Sequence, residues 1–235
     1  MAGALGPLIL PLLAAGLISG FLAGLLGIGG GLVLVPALCA ILETAGVGGD
    51  ARMHLAVGTS LGVIVFTASS STWAHARRNA VDTGYLRAAG PALILGALAG
   101  AAIAGWLSNT LLTACFVLFA TANAWALAFG RKRAVTTPRL PGRFEEWSAG
   151  FGVGSVAALL GIGGGLLTTP MLLRRGWTMR RAVGTSAAAG LLLALPAAAG
   201  YIASGWDTPD LPPFSAGYVS LLGVALMAPD RKSVV

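Results

Sequence analysis

Charge is scarce in this sequence. Fifteen basic and eight acidic side chains make up 10% of its 235 residues, where a soluble domain carries about a quarter. An ordinary water-facing surface is therefore excluded. Every charged residue also falls in a gap between apolar runs, which cover about 7–42, 55–74, 88–107, 109–130, 147–173, 182–204 and 214–228. A charge at the centre of a bilayer costs ~2.5–3.5 kcal/mol, and this distribution avoids that cost. It leaves no acid or base inside the apolar runs to build an ion-paired site.

Other chemistry is missing too. Cys39 and Cys115 sit in separate apolar stretches with no CxxC spacing and no histidine partner, which argues for inert thiols and against a disulfide or a metal site. No cofactor is expected. The two histidines, His54 and His75, lie at the ends of apolar runs and read first as interfacial side chains, second as candidates for proton coupling. The string "GIGGGL" fails G-x-G-x-x-G at its sixth position and no Walker lysine follows, so nucleotide binding has no support. The start "MAGALGPLILPLLAAG" lacks the basic segment of a secretory signal, and the expectation is a retained membrane segment.

What is present is apolar: 56% hydrophobic residues and a mean hydropathy of +0.84. The runs have the lengths of helices or broken helix pairs rather than barrel strands, which predicts an all-α, polytopic transmembrane helix bundle. The net charge of +7 is concentrated in Arg131, Lys132, Arg133, Arg139 and Arg143, and in Arg174, Arg175, Arg180 and Arg181. Beside apolar runs, such clusters are cytoplasmic anchors rather than a nucleic-acid surface. Trp73, Trp106, Trp147 and Trp206 read as anchors at the membrane interface.

The chain is written twice. "GLLGIGGGLVLVP" from residue 24 returns as "ALLGIGGGLLTTP" from residue 158, and "AVGTS" at 56–60 returns at 182–186. A weaker match sets Gly84-Tyr85-Leu86 against Gly217-Tyr218-Val219. The order is the same in both halves, the mark of an internal repeat. The expected organisation is a first transmembrane repeat at 1–130, a basic cytoplasmic linker at 131–146 with Pro138 and Pro141, and a second repeat at 147–235. After Tyr85 the first copy runs on for two membrane segments, whereas the second stops soon after Tyr218, and the expectation is a truncated second copy.

Orientation follows from the arginines. With Arg77, Arg78 and Arg87 inside, the linker is inside as well, yet residues 147–173 are flanked by cationic clusters at both ends. A re-entrant pair hinged at "GIGGG" keeps both clusters on the cytoplasmic side. Residues 182–204 then exit to an outer loop with Asp207 and Asp210, and 214–228 return. "AVGTS" thus runs in opposite directions in the two copies, the inverted arrangement of many secondary transporters; a parallel arrangement stays open.

Contiguous glycines in an apolar run exceed what helix packing asks for. Spaced small residues such as Gly16, Gly20 and Gly24 suffice for packing. Gly29, Gly30 and Gly31, with Gly163, Gly164 and Gly165, are read as helix breaks whose resuming helices aim free N–H groups and a positive dipole end at an anion. Thr59, Ser60, Thr185 and Ser186 follow a glycine at an expected helix start, where a hydroxyl caps backbone or reaches a ligand. Thr168 and Thr169 are further candidates, standing where the first copy has Leu34 and Val35. Thr67, Ser69, Ser70, Ser71 and Thr72 line a polar path or bond their own helix, and Asn123 is read as glue between helices.

"GTSLG" at 58–62 fits G-x-S-x-G, but an intramembrane hydrolase built on Ser60 lacks a buried acid and a strand-turn-helix context. No enzyme is expected. The doubled "GIGGG" and "AVGTS" strings resemble the sulfite exporter TauE/SafE family, also called TSUP, over nearly the whole chain. The resemblance implies a multi-pass protein of the bacterial inner membrane that transports small sulfur-containing or related organic anions. It further implies coupling to a proton or sodium gradient, and a homo-oligomer is a possible assembly. On this reading the twelve glycine and hydroxyl residues above surround one central anion site, with no nucleic-acid partner. The alternative is a non-transporting membrane scaffold or subunit.

Overall fold

The computed structural model describes residues 6–26, 30–46, 48–129, 142–209 and 211–228. Gly29, the linker at 131–141, Asp210 and the C-terminal Arg231 and Lys232 lie outside the described residues. The chain is helical almost throughout: α1 (Gly6–Leu26), α2 (Gly31–Thr44), a 3₁₀ turn (Gly49–Ala51), α3 (Arg52–Arg77), α4 (Thr83–Trp106), α5 (Asn109–Phe129), α6 (Arg143–Leu160), α7 (Gly165–Arg174) and α8 (Met179–Ser204). A two-residue-per-strand hairpin, β1 (Ser215–Ala216) and β2 (Val219–Ser220), leads into α9 (Leu221–Met227). Four helices, α3, α4, α5 and α8, are long and apolar enough to cross a membrane among the described residues.

Glycine ends α6. Gly161 has φ +68, a left-handed conformation open to a residue without Cβ. Its N–H and that of Ile162 donate back to the carbonyls of Ala158 and Ala157. Ile162 and Gly163 are non-helical, Gly164 is the N-cap, and Gly165 is already inside α7. The break therefore occupies 161–164 and starts two residues earlier than the expected 163–165, because the left-handed turn needs a glycine directly after the last helical residue.

α6 and α7 form a hairpin that enters and leaves on one side. Arg175, just past α7, pairs with Glu146 in the first turn of α6 at 3.8 Å. α7 has ten residues, a length of about 15 Å against a hydrocarbon core of about 30 Å. The same end of the molecule holds Arg180, which donates to the Arg78 carbonyl, and Arg181, which pairs with Asp82. At the other end, the Tyr218 N–H donates to the Tyr201 carbonyl near the close of α8, and the Tyr218 ring lies 5.0 Å from His54 at the start of α3. α3 and α8 are thus antiparallel, and their two AVGTS strings run in opposite directions.

Small residues let the helices touch. α4 packs on α6 through Gly96 and Gly100, where a Cβ would collide with the Phe151 and Ser155 carbonyls, and through Gly154, where it would collide with the Leu93 carbonyl. With no hydrophobic drive between helices in lipid, such close approach carries the packing. Gly16 meets α9 in the same way at Met227, with 3.2 Å from its virtual Cβ to Cα, while Gly20 has nothing within 4 Å. Trp73, Trp106, Trp147 and Trp206 are all exposed.

Some expectations change. Residues 214–228 form a hairpin and a seven-residue helix, about 10 Å long, so they do not cross the membrane as one segment. Tyr85 sits in the first turn of α4 but Tyr218 in the β1–β2 turn, so these two are not in corresponding settings. Asn123 donates to the Phe119 carbonyl of its own helix at 3.0 Å, and Thr67 and Ser69 donate to Ile64 and Val65 likewise. Own-helix bonding wins because the acceptor one turn back is always in reach.

Two outcomes are expected. With the native cysteines replaced, single cysteines at Arg143 and Thr178 will react with a membrane-impermeant maleimide from one side and a cysteine at Ser108 from the other; opposite sides for the first two would overturn the hairpin. Gly100→Leu will lower stability by ~1–3 kcal/mol or more through overpacking, measured by thermal unfolding in detergent, while Gly20→Ala will be neutral or stabilising by ~0.5–1 kcal/mol.

Candidate functional site

The break before α7 and the first turn of α2 meet inside the protein. A Cβ on Gly31, the first residue of α2, would collide with the Gly161 carbonyl and stand 2.7 Å from Ile162 Cα. Ser60 of α3 donates its hydroxyl to the Gly161 carbonyl at 2.8 Å, taking up an acceptor that the break leaves without a helical partner. Gly164 packs on Gly190 of α8, 3.0 Å from its virtual Cβ. Gly30 is the N-cap of α2 and partly accessible, Gly163 is buried, and Gly165 is half-buried.

The hydroxyls are interior groups, not helix caps. Thr59 and Ser60 lie two turns into α3, and Thr185 and Ser186 nearly two turns into α8. The helices begin earlier than the apolar runs do, since Arg52 and Arg180 are helical residues at the membrane ends. Thr59 Oγ1 accepts from the Ser220 N–H at 3.0 Å, and Thr185 Oγ1 accepts from the Asp82 N–H at 2.9 Å. Asp82 caps α4 and Ser220 caps α9, each accepting from the N–H three residues on.

Each AVGTS string uses its glycine on the same segment. A Cβ on Gly184 would stand 2.5 Å from the Ala80 carbonyl oxygen, and one on Gly58 would collide with that of Tyr218. Both carbonyls lie two residues before the capping residue. Gly and Thr at this spacing seat an incoming, non-helical strand of chain against a helix, the glycine admitting its carbonyl and the threonine accepting its amide.

α7 carries a hydroxyl that this architecture leaves over. Thr169 and Ser186 share a hydrogen bond at 2.7 Å, and Ser186 also reaches the Val183 carbonyl. Thr168, one turn into α7 and fully buried, has no partner for Oγ1 among the described residues. A buried unsatisfied hydroxyl costs ~1–3 kcal/mol, and this one stands one turn past the start of α7, its own N–H bonded to the Gly164 carbonyl at 2.8 Å. Ser60, by contrast, has its proton committed to a carbonyl, the reverse of an activated nucleophile.

The structure also assembles a second polar region away from this centre. A cavity of about 670 Å³ is lined by Asp50, His54, Asn109, Thr110, Thr208 and Tyr218, with backbone from Gly48 and Gly49. His54 is not an exposed interfacial side chain but 5% accessible. Sequence reading singled out His54 but not the site around it, because the lining comes from four separated stretches; a further local signal is "LSNT" at 107–110, a helix start.

Comparison with known proteins agrees with this architecture. The family model for the sulfite exporter TauE/SafE matches residues 12–229. A "Probable membrane transporter protein" of Haemophilus influenzae is 33% identical over 219 residues, covering 92% of this chain and 82% of the relative. One from Methanocaldococcus jannaschii is 28% identical over 228 residues, 94% of this chain and 82% of the relative. A third from Bacillus subtilis is 31% identical over 180 residues, 69% and 66%. No solved structure matches. A bundle of membrane-length helices with a glycine break between α6 and α7, matched over residues 12–229 by one family model, makes this chain a multi-pass membrane protein of the sulfite exporter TauE/SafE family.

Proposed function

We propose that the protein is a secondary transporter of small anions, sulfite, sulfonates or related organic anions, working in the bacterial inner membrane. The anion is held where the α6–α7 break meets the first turn of α2, by backbone N–H groups and hydroxyls in place of charged side chains. The observation that carries this reading is Thr168 Oγ1, buried one turn into α7 and unpartnered among the described residues. An anion there would accept from the hydroxyl and from the free amides of the first turn, which also turn their positive dipole end toward it.

Gly30, Gly31, Gly163, Gly164 and Gly165 keep Cβ atoms out of that approach, and Gly29 is assigned with them from the sequence. Thr169 and Ser186 complete the polar lining through their shared bond. Thr59, Ser60 and Thr185 hold the surrounding backbone. The inverted course of the two AVGTS helices supports two copies that rock about this centre, with a proton or sodium gradient as the driving force and a homo-oligomer as a possible assembly. The three relatives, each called a probable membrane transporter, point the same way.

Thr168→Val separates binding from packing. A methyl in place of an unpartnered hydroxyl leaves stability unchanged or raises it, whereas an anion site loses a donor. The expected result is a stable protein in which anion-dependent thermal stabilisation by sulfite or ethanesulfonate is lost and flux in proteoliposomes falls ~10-fold or more, the equivalent of one hydrogen bond to a charged ligand. Unchanged flux and stabilisation in Thr168→Val would overturn the site.

A further inference from the structure

We infer that the arginine-bearing end of the molecule holds a site for an acidic phospholipid, its phosphate at Arg77, Arg78 and Arg180 and one acyl chain along the outer face of α3. The site is independent of the central break and of transport. It is assembled from two distant parts of the chain. Arg77 and Arg78 close α3, and Arg180, in the first turn of α8, donates to the Arg78 carbonyl 102 residues away. The Arg77 guanidinium lies over the Trp73 ring, 4.7 Å from its centroid. All three arginines are exposed, and no carboxylate of a described residue pairs with them.

The face of α3 that leads to Arg77 is left uncovered by the bundle. Phe66, Ser70, Trp73 and Arg77 share one side of the helix by their spacing, and all four are exposed, Phe66 at 57% and Trp73 at 63%. Ile64 and Ala68, further around the same turns, are buried. From Phe66 to Arg77 the helix rises about 16 Å, close to half of a hydrocarbon core of about 30 Å. An acyl chain of one leaflet therefore spans the stripe while its headgroup stands level with the arginines. The stacked Trp73 and Arg77 sit where the two meet, an aromatic ring at the headgroup boundary with a guanidinium beyond it.

Charge decides which lipid. A guanidinium takes phosphate oxygens in pairs, and basic side chains at the inner leaflet gain from acidic lipids. A zwitterionic headgroup brings an ammonium as well, which needs a carboxylate. Asp82, which caps α4, is used on both oxygens, by Arg181 and by the Tyr85 N–H, and its side chain is 16% accessible. Arg181 is held in turn over the Trp177 ring at 5.0 Å, so that the acid and its partner are fixed as a unit. Glu146 is paired with Arg175. Neither acid is open to an ammonium, whereas the guanidiniums of Arg77, Arg78 and Arg180 are open to phosphate. The complement is a headgroup of net negative charge, such as phosphatidylglycerol.

The test is tryptophan quenching in the full-length protein, reconstituted in phosphatidylcholine bilayers with brominated phosphatidylglycerol or brominated phosphatidylethanolamine of the same acyl chains. Bromine quenches an indole that its chain touches. Expected is stronger quenching by phosphatidylglycerol at equal mole fraction, with the excess lost in Trp73→Phe. Arg77→Gln and Arg180→Gln should each lower the preference about fivefold. Arg77→Lys should retain most of it, which separates charge from folding, and Arg143→Gln, on α6 at the same end, should leave it unchanged. Soluble glycerol phosphate and an acidic peptide should not displace the lipid. Equal quenching by the two lipids, an excess that survives in Trp73→Phe, or the same loss in Arg143→Gln overturns the proposal. Displacement by glycerol phosphate would make this a free-phosphate site and displacement by the peptide a protein-docking face, and either result overturns it as well.

Discussion

A peptide group inside a bilayer has no water to fall back on, and leaving one unpaired costs several kcal/mol. The break between α6 and α7 and the two non-helical entries into α4 and α9 therefore have to be closed by the protein itself. Ser60 covers the Gly161 carbonyl, Thr59 covers the Ser220 amide, and Thr185 covers the Asp82 amide. The repeated AVGTS string is thereby a backbone-closing device. Its glycine lets a carbonyl approach and its threonine supplies the acceptor two residues further along the same incoming segment.

Closure of this kind ties distant parts of the chain together. Thr59 and Ser220 are 161 residues apart in sequence, Thr185 and Asp82 are 103 apart, and Ser60 and Gly161 are 101 apart. Each of these bonds joins the first half of the chain to the second. The α4–α6 seam does the same through Gly96, Gly100 and Gly154. The halves are thus interlocked rather than set side by side, and a movement of one against the other would have to be carried by the elements that cross between them. Thr168 departs from this closure, fully buried on α7 with no partner for its hydroxyl among the described residues, and on that ground it is the residue on which the proposed ligand site turns.

Much of this was readable in the residues. Apolar run lengths and the exclusion of charge from them determine a helical membrane protein, because a bilayer penalises anything else. Arginines on both flanks of 147–173 require the α6–α7 segment to return to its own side, and the Arg175–Glu146 pair at 3.8 Å has it doing so. Gly161 stands at φ +68, where only a glycine sits without strain. The run at 214–228 misled because apolarity alone does not distinguish a crossing helix from a buried hairpin and a short helix.

What the sequence by itself determined is the set of local constraints: which segments are apolar enough to enter lipid, which glycine string interrupts a helix, and which ends of the apolar runs the cations keep. What only the tertiary structure decided is partnership. Thr59 and Thr185 look like ligands or caps until the Ser220 and Asp82 amides are placed against them, and Thr168 looks like its neighbour Thr169 until Ser186 is found bonded to one and not the other. His54 reads as a membrane-end residue until Ala104, Asn109 and Tyr218 close around it. The reason is physical: a hydroxyl or an imidazole has the same hydrogen-bonding capacity in every context, and its role is set by which groups far away in the chain leave that capacity used or unused.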